Sequence, residues 1–100
     1  MSTWLPEGTA EWGGRSVAHT VSKAAPRCRA VLAGVLRSVE GKDGWLDAQL
    51  DDGTGVITLR WMGRERISGL KVGCMLTAEG TVLDYHTRLV LLNPLYSFLK

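Results

Sequence analysis

Metal-binding and redox side chains are scarce: the chain of 100 residues holds two cysteines and two histidines. Cys28 and Cys74 cannot build a four-thiolate zinc site, and His19 and His86 do not fall at ligand spacing with them. No metal or cofactor is therefore expected. Two thiols are too few for a disulfide framework, and a pair of buried, reduced cysteines is the favoured reading. Long apolar runs are missing as well. No stretch approaches the ~18 residues that a membrane-spanning helix needs. The opening MSTWLPEGTAEW has neither the positive n-region nor the apolar h-region of a signal peptide. These absences point to a soluble cytoplasmic protein with no membrane partner. One-sided charge is lacking too: the net charge of +2 admits an anionic partner but falls short of the basic excess of a tight duplex-DNA binder. Catalytic constellations are absent. Gly41-Lys42 runs into Asp43 without the upstream glycine of a phosphate loop. Neither cysteine stands beside an activating base. An enzyme is not expected.

What the chain does have is alternation, clearest in Trp45 to Gly63, WLDAQLDDGTGVITLRWMG. Two runs of period two flank Asp-Asp-Gly-Thr-Gly, the pattern of a β-hairpin with a glycine-bearing loop. Leu46, Ala48 and Leu50 share one face, opposite Trp45, Asp47, Gln49 and Asp51. Ile57, Leu59 and Trp61 share a face opposite Val56, Thr58, Arg60 and Met62. Side chains alternate across a strand, so the apolar sets bury and the mixed sets stay wet.

Residues 1–26 carry glycines and prolines with little apolar periodicity and read as an N-terminal extension. Val17 and Val21, four apart, allow a short helix or ordered arm within Ala10 to Ala25, which Trp4 and Trp12 would tack onto the body. The domain proper occupies residues 27–100. Cys28 to Glu40 reads as a long strand, apolar on both faces, with Gly34 marking a bend or bulge. Residues 40–44 form a loop, and the hairpin follows. Residues 63–73 suit a single helical turn or a tight connector. Cys74 to Tyr85 is the fourth strand, residues 84–87 turn, and Arg88 to Asn93 is the fifth, stopped by Pro94. Leu95 to Leu99 is expected to pack its apolar side chains against the body. One long bent strand, a hairpin, a connector and a second hairpin give an all-β, five-stranded Greek-key barrel in the order of the OB-fold. An SH3-like barrel or an incomplete β-sandwich is the structural alternative.

The runs AGVLRSVE, DDGTGVITLRWMGR, GLKVGCMLTAEGTV and RLVLLNPLY resemble the tRNA-anticodon or RecG-like group of OB-fold nucleic-acid-binding proteins, and especially the short standalone OB proteins of actinobacteria. The resemblance spans about residues 28–96. Its most specific parts are the Asp-Gly-Thr-Gly loop with the strand behind it and Asn93-Pro94 followed by Tyr96. Members commonly place an acid after that proline, where this chain has Leu95. In the RecG helicase the corresponding domain is a wedge on branched DNA. Without a helicase motor, the resemblance implies only a binding role, on single-stranded or branched DNA or on RNA.

OB-folds bind nucleic acid across strands 2 and 3, framed by the loops joining strands 1 to 2 and 4 to 5. That surface here offers Trp45 and Tyr85 for stacking, and Lys42, Arg60 and Arg37 for phosphates. Gln49 and Thr58 supply hydrogen bonds, with Met62 and His86 alongside. Asp47 and Asp51 oppose phosphate binding unless they are paired with Arg60 or Arg37. The competing reading is a protein-interaction or homo-oligomeric OB domain. Exposed, adjacent Trp45 and Arg60 favour nucleic acid; Arg60 held by Asp47 under a partner subunit favours protein.

Overall fold

The computed structural model describes the backbone of residues 9–12 and 15–99 and the side chains from Val17 to Leu99. Eight strands follow in order: β1 (Thr9–Trp12), β2 (Arg15–Ala18), β3 (Arg29–Lys42), β4 (Trp45–Asp51), β5 (Val56–Met62), β6 (Met75–Tyr85), β7 (Arg88–Leu92) and β8 (Leu95–Leu99). A single 3-10 turn, Val21–Lys23, lies between β2 and β3. Five of the strands close into a ring. β3 pairs antiparallel with β6 through its first half and with β4 through its second. β4 pairs with β5, β5 runs parallel to β7, and β7 returns antiparallel to β6. This is the OB-fold barrel, closed so that its central strands have no free edge.

The alternation seen in the sequence is what fills the ring. Leu46, Ala48 and Leu50 of β4 and Ile57, Leu59 and Trp61 of β5 are all buried, together with Leu32, Leu36, Leu76, Val82 and Leu91. Full burial of each large aliphatic side chain stabilises the fold by about 1.5–3 kcal/mol.

β3 serves two neighbours by a change of phase. The register slips between Leu36 and Ser38, leaving Arg37 as an extra residue. Ahead of the slip the even positions Ala30, Leu32 and Leu36 face the core; beyond it Val39 packs inward opposite Ala48. The bulge is therefore at Arg37 and not at Gly34. Gly34 is needed for another reason: a Cβ there would stand 2.4 Å from the carbonyl oxygen of Asp51.

Other expectations are revised. β3 continues to Lys42, and the next turn is the two-residue Asp43-Gly44, both with positive φ (56° and 88°), matching the twist of a tight hairpin. Of the two forms expected for residues 63–73 the tight connector is the one seen: it consists of turns without a helix, and Ile67 and Leu70 within it enter the core. Of the short helix or ordered arm expected within residues 10–25, the arm is the form seen: β1 and β2 pair antiparallel, the 3-10 turn follows, β2 joins β3 in parallel, and Ala18 and Val21 enter the core. Burial, not helical periodicity, explains Val17 and Val21. The expected docking of Trp4 and of the Trp12 side chain lies outside the described residues. Cys28 and Cys74 are unbonded and half-buried rather than fully sealed. Leu95–Leu99 is not folded onto the body as a packed tail. It is β8, paired to the first half of β6, with all five residues exposed.

Candidate nucleic-acid interface

The hairpin register sets out the outer face of β4 and β5 row by row. Trp45 stands opposite Met62, Asp47 opposite Arg60, and Gln49 opposite Thr58. Such directly opposed side chains are ~4.5–5.5 Å apart at Cβ and interact.

Arg60 is the centre of the face. Its Nε and Nη2 donate to the two carboxylate oxygens of Asp47 at 2.7 and 2.8 Å, a bidentate pair. Its guanidinium carbon also lies over the Trp45 ring, 4.5 Å from the centroid, and 5.4 Å from the centroid of Tyr85. Both distances are within cation–π range. The hydrogen bond to Asp47 raises the Arg60 pKa above its usual value, burial opposes this, and the nearby Asp47 charge adds to the rise. The strand carrying Arg60 is pinned by Asn93. The Asn93 N–H donates to the Arg60 carbonyl at 2.6 Å, and its side-chain oxygen accepts from Met62 N–H at 2.8 Å. Asn93 sits at positive φ (49°), a conformation that asparagine tolerates. Its role escaped the sequence reading, although the Asn-Pro dipeptide is a turn signal that marks it.

Trp45, Arg60 and Tyr85 thus meet. Met62, 46% exposed, borders them, and Lys42 is exposed and opposite Trp45 in the β3–β4 register. His86 is exposed at the tip of the β6–β7 turn, with φ 59°, one residue beyond Tyr85.

Three expected contributors differ from their sequence reading. Thr58 is 3% exposed. It does lie on the outer face, but β5 is a central strand, and Thr58 is flanked by Gln49 on β4 and Val90 on β7. Its hydroxyl accepts a hydrogen bond from Gln49 Nε2 at 3.1 Å, so the amide donor of Gln49 is directed at a neighbour. Arg37 stands apart from the cluster. It donates to Asp51 at 3.1 Å, at the far end of β4 from Trp45, six residues or ~20 Å along the strand.

The acidic residues that argued against phosphate binding are thereby accounted for. Asp47 is neutralised by Arg60 and Asp51 by Arg37. Gly53 N–H, Arg37 and its charge hold the Asp51 carboxyl below the usual range. Burial pushes Asp52 upward, but hydrogen bonds from the Thr54 hydroxyl and from the backbone N–H groups of Val21, Thr54 and Gly55 outweigh it, and its pKa is lowered. Among the described residues, no group of three or more His, Cys, Asp or Glu stands close enough to hold a metal.

The sequence matches no family model, and no curated protein matches it. The fold has counterparts among solved structures. The crystal structure of the p204 HINb domain superposes with a TM-score of 0.65 at 11% identity over 77% of this chain, which spans 42% of that chain. The S. pombe Stn1-ten1 complex gives 0.64 at 13% identity, covering 98% of this chain and 70% of that one. A Replication Protein A heterotrimer bound to ssDNA gives 0.63 at 14% identity, covering 90% and 69%. At such identities the likeness establishes the fold.

Proposed function

We propose that this chain is a non-catalytic OB-fold module of the cytoplasm that binds single-stranded or branched nucleic acid, DNA in the first instance, through the outer face of β4 and β5. The observation that carries this reading is the cluster of Trp45, Arg60 and Tyr85. The Trp45 and Tyr85 rings lie 4.5 and 5.4 Å from the Arg60 guanidinium, which stands on the strand pair where OB-folds take their ligands. Support comes from the structural likeness to a Replication Protein A heterotrimer bound to ssDNA, and from the sequence resemblance to the RecG-like OB group.

Because Asp47 already balances Arg60, the face works mainly by stacking. A base laid on an aromatic ring gains roughly 1–3 kcal/mol, whatever its identity, since every base has a π-face. Lys42, exposed beside Trp45, supplies phosphate neutralisation at the rim. The result is weak binding with little sequence preference.

The test is a titration of fluorescein-labelled oligo-dT and of a forked duplex at low and moderate salt, with wild type, Trp45→Ala and Lys42→Ala. Saturable binding is expected. Trp45→Ala should weaken it at both salts, and Lys42→Ala should flatten the salt dependence by ~0.7 slope units on a single strand. No saturable binding at low salt would overturn the reading in favour of a protein-interaction module, which the exposed apolar strand β8 favours.

A further inference from the structure

β8 ends the sheet: it pairs with β6, and no strand lies on its other edge among the described residues. A free edge presents unpaired N–H and C=O groups, and proteins ordinarily protect it with charge, proline or a bulge. β8 has none of these within its span. Leu95-Tyr96-Ser97-Phe98-Leu99 is uncharged, and Pro94 precedes the strand without removing a donor from it. Its side chains are open to solvent, with Leu95 69%, Phe98 44% and Leu99 39% exposed, next to Met75 at 45%. Tyr96 is already fixed, edge-on to Trp61 at 5.6 Å and to Phe98 at 5.7 Å.

We propose that the occupant of this edge is β8 of a second copy of this chain, paired antiparallel about a two-fold axis at Ser97. The strand is self-complementary in that register. Leu95 meets the second copy's Leu99, Tyr96 meets its Phe98, and Ser97 meets Ser97. Aliphatic then faces aliphatic, aromatic faces aromatic and hydroxyl faces hydroxyl, the combinations that stabilise cross-strand contacts. The symmetry singles out a second copy, because an unrelated strand has no need of a pattern that reads alike from both ends. The absence of charge lets two identical edges approach without repulsion. Since the pairing uses none of Trp45, Asp47, Arg60 or Tyr85, it stands or falls independently of nucleic-acid binding.

The register is testable by cross-linking. Two Ser97 Cα atoms facing each other would be ~4.5–5.5 Å apart, within the span of a disulfide. Two Leu95 positions would be four strand steps, or ~13 Å, apart. In the full chain carrying Cys28→Ser and Cys74→Ser, Ser97→Cys should cross-link to a dimer under mild oxidation, and Leu95→Cys should not. In the native-cysteine background, sedimentation velocity across ~5–500 µM should show a monomer–dimer equilibrium for wild type. Ser97→Lys, which sets two ammonium groups side by side, should weaken it about tenfold or more with an unchanged circular dichroism spectrum. A wild type that is monomeric throughout would overturn the proposal. So would a dimer equally tight in Ser97→Lys.

Discussion

Arg60 serves two partners at once, and which of them governs it decides how the β4–β5 face works. The bidentate pair with Asp47 already gives the guanidinium what a phosphate would offer it, a negative charge and two acceptor oxygens. With the pair only 16% and 24% exposed, solvent does little to loosen it. On the proposed reading, Asp47 opposes phosphate binding by Arg60. Asp47→Asn keeps the shape and removes the charge, so oligo-dT should bind more tightly at low salt, with a salt slope steeper by ~0.7 units for one added phosphate contact. Unchanged affinity and slope would mean that Arg60 stays committed to the rings and acts only to hold them. At this scale the sequence carried a good deal. Strict alternation assigned the outer face of the hairpin, and the possible pairing of Asp47 and Asp51 with Arg60 and Arg37 was visible from residue types. The burial of Thr58 was not, because period two gives the face of a strand and not whether neighbours on both sides cover it. Nor was the separation of Arg37, whose place depends on a bulge with no local signature beyond the arginine itself.

Between elements, the β4–β5 loop ties the N-terminal segment to the barrel. Asp52 accepts from the Val21 N–H at 2.9 Å, and Thr54 Oγ1 accepts from the Ser22 N–H at 3.1 Å. The loop is itself shaped by Asp51 on Gly53 N–H and Asp52 on the Thr54 N–H and hydroxyl. Asp52→Ala should cost about 1–2 kcal/mol by urea denaturation, as expected for charge-assisted bonds at a half-exposed site, and should speed amide exchange at Val21. The pH dependence follows from the direction of the shifts. Both carboxyls titrate below their unfolded values. Their contribution is complete above the unfolded carboxylate range near pH 4 and is lost as pH falls through the lower folded values. The urea midpoint of wild type should therefore drop in that acid window, and Asp52→Asn should drop less. An acid limb identical in the two proteins would remove Asp52 from the account. The five barrel strands were legible because each alternates over several residues. β8 was hidden by Pro94, read as a terminator although a proline just ahead of a strand obstructs nothing. The β1–β2 hairpin had one signal, Gly13-Gly14 between Trp12 and Arg15, set among residues with too little apolar pattern to identify strands.

For the whole molecule, closure depends on β3 passing from one neighbour to the other. Val35 pairs with Met75 on β6 and with Asp51 on β4, so the hand-over occurs within a residue of Gly34. The backbones converge there, and a Cβ on residue 34 would stand 2.4 Å from the Asp51 carbonyl oxygen and 2.8 Å from its carbon. Both obstructing atoms are main chain in a paired strand, so relief requires moving β4 away from β3. That displacement cannot stay local, since β4 holds β5, β5 holds β7, and β7 returns through β6 to β3. Gly34→Ala should accordingly cost about 2–3 kcal/mol, in the range of overpacking in a closed core. A domain of this size then loses some 4–8 °C in Tm per kcal/mol. The loss should be cooperative, with the far-ultraviolet signal of the sheet and the tryptophan fluorescence, to which buried Trp61 contributes, changing in one transition. Two separated transitions would show that the β3–β6 and β3–β4 halves melt as independent sheets, and that the ring does not act as a single unit.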